Sequence, residues 1–470
     1  MMKELHTNTV VIGGGPAGYS AAFRLSDLGI DTVLIEKNNV LGGVCLHNGC
    51  IPSKYLLHIA NVIEEAKRLK EFGIKIDIKK INFFKMMLEK NKIINKLNNG
   101  LEHSSKHKKV SILYGSASFE SDNSIIIDNC KNDNSIYTRV FFKHAVISSG
   151  SSPILIPNIP YTNPRVWDST DALNFLNLPK KMLIIGSGVI GMEIASIYSS
   201  FGSEIDVVER SKVFFSTLDN DISNIFKNSF SSRFRLLLGT TITKISETND
   251  GLLVSLTGLK NFNRKILYDV VLVAAGRKAN IESLKLENVS IDVDTFGHIK
   301  VDDKLCTNIK NIYAIGDVVG NPMLAHKGSY QGKLVAEIIF GKNVFYDPKV
   351  IPYIIYSIPE VAWVGTLEMD AIKNDIDYKV SKFPWSFSGR SCASRNKLGL
   401  TKLIFDKSSN RIIGGAVIGV GASEILGEIS LAIEMCCDAE DISLTMHAHP
   451  TLYETISITS EIFQDKCIDI

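Results

Sequence analysis

A glycine-rich strand-to-helix pattern occurs twice in this chain at one spacing, and it constrains the fold more than any other feature. Thr9-Val10-Val11-Ile12 reads as a buried strand. Gly13-x-Gly15-x-x-Gly18 follows, then a helix with Ala21, Ala22, Leu25 and Leu28 at helical intervals up to Gly29. Thr32 to Glu36 is a second strand. Lys181 to Ile185 repeats the plan with Gly186-x-Gly188-x-x-Gly191, a helix carrying Ile194, Ile197 and Phe201, a terminating Gly202, and Val207-Val208-Glu209. First glycine to terminating glycine is 16 positions in both copies, and first glycine to acidic residue is 23 in both. This is an internal duplication of a βαβ unit.

One such fingerprint is weak evidence, since any tight turn uses glycine. Here each copy has its strand, helix and carboxylate. Backbone N–H groups at the helix start suit a pyrophosphate, and the carboxylates of Glu36 and Glu209 suit the ribose hydroxyls of an adenosine. The alternative, a solvated strand end, is disfavoured by the matched spacing.

Cys45 and Cys50 lie just beyond the first unit, in Gly42-Gly43-Val44-Cys45-Leu46-His47-Asn48-Gly49-Cys50-Ile51-Pro52-Ser53-Lys54. Along a regular α-helix five steps of ~1.5 Å exceed the ~4.4 to 6.8 Å Cα separation of a disulfide. The first cysteine is therefore expected on an irregular turn, which Gly49 permits, with a helix starting near Cys50 and Pro52 in its first turn. At that positive helix end Cys50 favours the thiolate. A structural disulfide or a metal pair remains open for the cysteines alone. Beside two dinucleotides, the pair implies an electron relay of nicotinamide, flavin and disulfide.

The chain has 470 residues, enough for two to four domains. With 52 basic and 50 acidic side chains there is no electrostatic footprint for nucleic acid. No apolar run reaches the ~18 residues of a membrane span, and Gly13 leaves no room for a leader before the first strand. A soluble, cytoplasmic protein is expected. The other cysteines, Cys130, Cys306, Cys392, Cys436, Cys437 and Cys467, show no framework spacing.

Between the copies lies a Lys- and Asn-rich helical stretch from Ala60 to Leu101, then β-like segments to Gly150, and Pro153 to Pro164 reads as a linker. Ile312 to Asp317 is another strand ending in a polar turn. After Pro348, alternating strands and an amphipathic helix from Glu424 to Cys436 form a last domain. The expected architecture is α/β: two Rossmann-like dinucleotide-binding domains plus a C-terminal α+β dimerisation domain.

Gly42-Gly43-Val44-Cys45 through Lys54, Gly316-Asp317, and His447-Ala448-His449-Pro450-Thr451-Leu452-x-Glu454 are together specific. Through them the chain resembles the flavin-dependent pyridine nucleotide disulfide oxidoreductases, and most closely the bacterial branch acting on dihydrolipoamide. The resemblance implies FAD on the first fingerprint (1-150), NAD on the second (151-275), a central domain completing the FAD site (276-347), and a dimerisation domain (348-470). It implies cofactor contacts by Gly13, Gly15, Gly18, Glu36, Gly42, Gly43, Lys54, Ala117, Asp317, Met323 and Ala325, with His326 following in the same segment. Gly186, Gly188, Val189, Ile190, Gly191, Glu193, Glu209, Ile242, Gly276 and Arg277 are implied likewise. Lys54 and Glu193 become an ion pair beside the flavin; read alone, they are separate surface charges.

The same resemblance gives Cys45, Cys50, His449 and Glu454 the catalytic roles and assigns no metal. Thiol oxidation needs a base. An imidazole titrating near ~6.5, oriented by a carboxylate, supplies one. His447 competes, and the motif selects His449. In such relatives this histidine serves the partner subunit's disulfide, so a homodimer is implied. The lipoyl-bearing acyltransferase core of 2-oxo acid dehydrogenase complexes is the implied partner, with the glycine cleavage lipoyl protein a further candidate. No nucleic acid or membrane partner is expected.

Several positions depart from the pattern. His47 and Asn48 stand where relatives have Asn and an apolar residue, Ala117 where a flavin-contacting glycine is usual, and Ser187, between Gly186 and Gly188, replaces a glycine inside the second fingerprint. Arg210 beside Glu209 is a cation that could accept a 2′-phosphate. The rivals are a glutathione or mercuric reductase of the same fold, and a zinc-binding subunit using Cys45, His47 and Cys50. For the vicinal Cys436 and Cys437 the expectation is buried core thiols.

Overall fold

The computed structural model describes residues 3–78, 80–128, 137–259 and 262–468, so Cys130 lies outside the described residues. In the first sheet, Lys3–Ile12 pairs in parallel with Thr32–Glu36 and with Tyr137–Ile147. Ser111–Tyr114 adds beyond Thr32–Glu36, and the short strands Ser116–Ser121 and Ser124–Asp128 continue antiparallel from Tyr137–Ile147. Both faces of the parallel part are covered. Val10, Ile12, Val33 and Ile35 enter one apolar cluster, while Val11 and Leu34 enter another with Ala21, Ala22 and Leu25 of the helix Pro16–Asp27. Alternation along each strand produces this division.

The second sheet repeats the geometry. Arg235–Leu238, Glu204–Glu209, Lys181–Ile185, Val270–Val273 and Val166–Trp167 run parallel in that order. The residues that cap the two nucleotide helices match closely: Gly15 has φ −74° and ψ −176°, and Gly188 has φ −69° and ψ −177°. The chain then returns to its first half. Arg277–Ala279 pairs with Ser151–Pro153, which ends where the stretch read as a linker begins, and Ile312–Ala314 joins the first sheet beside Tyr137–Ile147. The helix Ala325–Ile339 crosses Pro16–Asp27 closely. A Cβ on Gly332 would lie 2.4 Å from the Ala17 carbonyl oxygen, so only glycine permits that approach.

The last part is a five-stranded antiparallel sheet ordered Tyr353–Ile355, Glu360–Gly365, Ile412–Gly419, Leu400–Asp406 and Tyr378–Pro384. Ala422–Glu434 and Glu454–Phe463 pack on it. Three expectations are corrected here. Cys45 lies on a short helix, Gly43–Asn48, rather than an irregular turn. The Lys- and Asn-rich region is the two helices Cys50–Arg68 and Phe83–His107, extending past Leu101. Cys436 is exposed, not a core thiol, because the amphipathic helix ends at Glu434 and Cys436 turns out at φ 57°. Cys437 is half-buried against the C-terminal core.

Candidate active site

Gly49, at φ −145° and ψ −105°, interrupts the two helices that carry the cysteines, and Cys50 becomes the first residue of the 19-residue helix Cys50–Arg68. The pair is held as two free thiols. Their environments are unequal. A hydrogen bond from the Cys45 thiol, aided by the Lys54 charge, outweighs burial and lowers Cys50 from 9.0 to about 7. That same bond, with burial, pushes Cys45 far upward. Cys50 is thus the thiol of the pair that ionises first, as a thiolate accepting from the Cys45 thiol, in line with its place at a helix N-terminus.

Lys54 lies one turn further along, on the same helix face as Cys50. Its Nζ donates to both oxygens of Glu193 at 2.9 Å and sits 4.2 Å from the centre of the Tyr356 ring. Glu193 is 5% exposed and also accepts from the Tyr356 backbone N–H at 3.1 Å. The expected ion pair is therefore present and joins three distant segments. Tyr19 approaches from the first nucleotide helix; burial raises its phenol, and the two cysteines raise it further. Neither tyrosine carries a motif signal in the sequence.

At both fingerprints the helix N-terminus has no side-chain cap and no acidic residue in its first turn. The backbone N–H groups there are orphaned donors at a positive dipole end. The three glycines divide the work. The first of each copy takes positive φ, 108° and 104°, against a backbone carbonyl. The third, Gly18 and Gly191, presses on the carbonyl of the first. The middle one faces open space: a Cβ on Gly188 would meet nothing within 4 Å, and one on Gly15 only Gly43 Cα at 3.9 Å. Such a cradle fits a pyrophosphate.

Each carboxylate is fixed beside its cradle. Glu36 accepts from the Gly14 and Asn38 backbones at 2.8 Å each. Glu209 accepts from Ser187 N and Oγ at 3.1 Å each and from Ser211 N at 2.8 Å. Gly42 and Gly43, both at positive φ, bring the cysteine segment against the first turn, with Gly42 N donating to Gly14 O at 2.8 Å.

Arg277 and Asp317 meet through Ser151. Arg277 Nε donates to Ser151 Oγ at 2.8 Å and Nη2 to its carbonyl at 2.6 Å, while Ser151 Oγ donates to Asp317 at 2.5 Å. Gly276 precedes them at φ 122°. Ser151 is a residue that sequence reading missed. Lys327, buried, donates to Gly320 O at 2.7 Å and faces Asp317. Met323 and Ala325 flank the cap of the helix Ala325–Ile339, and His326 Nε2 is 3.0 Å from Pro352 O. Val189 and Ile190 open the second nucleotide helix. The Ala117 side chain packs in one apolar cluster, and Ile242 is partly buried against another.

His449 and Glu454 form a second group. Glu454 Oε2 is 2.9 Å from His449 Nδ1, and the His449 side chain is 77% exposed with Nε2 bonded to none of the described residues. His447 differs: its side chain is 4% exposed, with Nε2 2.7 Å from Glu428 and Nδ1 2.7 Å from Thr445 O. The Glu428 hydrogen bond raises His447. His47 is engaged with Leu41 O at 2.7 Å, and among the described residues no metal-sized cluster includes Cys45, His47 or Cys50. Asp219, Asp221 and Glu368 do cluster, around the buried ammonium of Lys402. That cation occupies the space a metal would need.

Two strand–turn–helix cradles meeting a polarised dithiol define a nucleotide-linked redox protein. Residues 7–332 match the pyridine nucleotide-disulphide oxidoreductase model and residues 351–459 the dimerisation domain of the same name, so the chain belongs to that family. Among curated relatives, a dihydrolipoyl dehydrogenase of Buchnera aphidicola subsp. Acyrthosiphon pisum is 51% identical and one of Vibrio cholerae 49%. In each comparison the alignment covers all of this chain and 98% of the relative. Among solved structures, the HOCl-induced flavoprotein disulfide reductase RclA from Escherichia coli aligns with a TM-score of 0.86 at 25% identity, covering 97% of this chain and 99% of its own. Among the described residues no helix is long and apolar enough to cross a membrane.

Proposed function

We propose that this chain oxidises protein-bound dihydrolipoamide to lipoamide with NAD, using the Cys45–Cys50 pair, as the dehydrogenase component of 2-oxo acid dehydrogenase complexes. The observation that carries the reading is the Cys45–Cys50 pair beside the first nucleotide turn, with Cys50 at the N-terminus of the helix Cys50–Arg68 and Lys54 one turn along, and full-length identity near one half to dihydrolipoyl dehydrogenases supports it. The FAD-binding part is 1-150 completed by 276-347, the NAD-binding part 151-275, and the dimerisation part 348-470. Gly13, Gly15, Gly18 and Glu36 hold FAD with Asp317; Gly186, Gly188, Gly191 and Glu209 hold NAD.

His449 Nε2 takes the proton of the first substrate thiol, with Glu454 on Nδ1 stabilising the imidazolium. The substrate thiolate attacks Cys45 Sγ of the oxidised pair, breaking the disulfide and releasing Cys50 as thiolate. The second substrate thiol, once deprotonated, displaces Cys45 from the mixed disulfide; the lipoamide ring closes and Cys45 takes a proton. Two electrons and the disulfide have changed places. FAD, when bound, supplies the two-electron relay from the dithiol to NAD. Lys54 and the Cys45 thiol hold the Cys50 charge.

His449 makes no described contact with the cysteines of its own chain. A second copy presents it, in a homodimer that covers the exposed Leu431, Leu444 and Met446. The test is the visible spectrum of purified protein titrated with dihydrolipoamide, followed by NADH formation on adding NAD. Flavin reduction and NADH formation are expected. Stoichiometric zinc without flavin, or turnover of glutathione but not lipoamide, overturns the proposal.

A further inference from the structure

The two carboxylates that flank the cradles are held differently, and the difference falls on Ser187. At the first cradle, Glu36 is 5% exposed and takes one backbone N–H on each oxygen, from Gly14 and Asn38. A Cβ at Gly14 would press on Leu41 Cδ2 at 2.8 Å and on Glu36 Oε2 at 3.0 Å. The second cradle has a half-buried Glu209, and the residue matching Gly14 is Ser187, itself 4% exposed. Its hydroxyl adds a donor to the Oε2 that its own N–H already binds.

Arg210, next to Glu209, is exposed and makes no hydrogen bond or ion pair with the described residues. A loosely held Glu209 could swing toward it and leave a cation facing the ribose 2′ position. That is the arrangement a 2′-phosphate requires. Two donors on Oε2 and Ser211 N–H on Oε1 oppose such a swing and leave the carboxylate a further lone pair for an acceptor role.

We infer that Ser187 is a positioning residue for nucleotide choice: its hydroxyl presets Glu209 to accept the 2′- and 3′-hydroxyls of an unphosphorylated adenosine ribose and to repel a 2′-phosphate. The inference rests on the second cradle being the nicotinamide nucleotide site. A buried hydrogen bond to a charged acceptor changes an equilibrium constant about 10-fold or more, and solvent at Glu209 reduces this, so ~3- to 10-fold is expected.

The probes are ADP-ribose and its 2′-phosphate, which carry the recognised half and cannot accept hydride. Calorimetric binding to the oxidised holoenzyme gives the ratio of the two affinities. Ser187→Ala should lower the preference for ADP-ribose by ~3- to 10-fold, with Ser187→Gly behaving alike. In a Glu209→Ala background Ser187→Ala should have no further effect, because the hydroxyl has lost its acceptor. A ratio unchanged in Ser187→Ala but reduced in Glu209→Ala refutes the inference and leaves the site assignment standing. A Ser187→Ala effect that persists without Glu209 refutes it also. If Glu209→Ala leaves the ratio unchanged, the assignment of the cradle fails and the inference with it.

Discussion

Replacing Cys45 by alanine in the reduced holoenzyme should move Cys50 upward by more than one pH unit. The structure lowers Cys50 from 9.0 to about 7, and the largest cause is the hydrogen bond from Cys45, against burial and with help from Lys54. Two units correspond to about 3 kcal/mol between thiol and thiolate. At pH 7 the fraction ionised is then about one half instead of about 1%. Alanine removes the donor while burial and the Glu193 charge stay, opposed by Lys54 and a weaker backbone hydrogen bond, so Cys50 should titrate near or above its ordinary value. Cys45→Ser keeps a hydroxyl donor and should fall between. The assay is the pH dependence of iodoacetamide alkylation of Cys50, with ultraviolet thiolate absorbance as a second measure. Because the folded value is depressed, Cys50 stabilises the reduced protein fully above pH ~9 and ceases to do so as pH falls through ~7. A Cys50 still titrating near 7 in Cys45→Ala would place the cause in Lys54 and refute the reasoning. Lys54→Met, not Cys45→Ala, would then carry the shift.

His449→Gln should lower dihydrolipoamide turnover by ~10² to 10⁴ with cofactor content unchanged, and Glu454→Gln by less, since it orients the base without taking the proton; steady-state kinetics beside flavin quantitation decides. Co-expressed Cys45→Ser and His449→Gln chains should form some active heterodimers, and their inactivity would count against a base supplied by the partner. Lys402→Met leaves three carboxylates facing one another around a fully buried position, so the denaturation midpoint should fall by the equivalent of about 3 to 5 kcal/mol. Asp219→Asn should restore part of that loss, and an unchanged midpoint in Lys402→Met alone would sink the account. His447 is raised by its bond to Glu428, so its contribution is full below the unfolded value near ~6.5 and fades as pH rises through the folded one. The stability gap between wild type and His447→Gln should therefore shrink on going from pH 6 to pH 9, and a gap that widens contradicts it.

What the sequence revealed of this molecule follows from local sterics. A strand that turns directly into a helix around a phosphate leaves no room for side chains, so the glycines must appear at fixed offsets and the duplication is visible without coordinates. The Cys45 and Cys50 segment was legible for the same reason, although its geometry was not: a short helix, rather than a turn, precedes the break at Gly49. Cys436 was misread because its apolar spacing continues past Glu434, while the backbone leaves the helix there. The Ser151 link between Arg277 and Asp317 spans 126 and 166 positions, and Lys402 reaches Asp219 across 183. No periodicity encodes such partners. They exist only once the sheets are assembled.

Glu193 shows how such distant contacts serve the chemistry that the motifs announce. It lies in the helix of the second cradle, is nearly excluded from solvent, and takes charge from Lys54 on the cysteine helix and an N–H from Tyr356, just past the strand Tyr353–Ile355. A buried carboxylate without partners would not remain ionised, so the helix of one nucleotide site is secured to the cysteine helix of the other. The same ammonium that neutralises Glu193 lowers Cys50, while Glu193 itself raises it. The thiolate is therefore tuned by the distance between two helices belonging to different dinucleotide units. A shift of the second unit that drew Glu193 off Lys54, its partner 139 positions away, would leave the lysine free to act on Cys50 alone, coupling the arrangement at the nucleotide cradle to the acidity of the thiol.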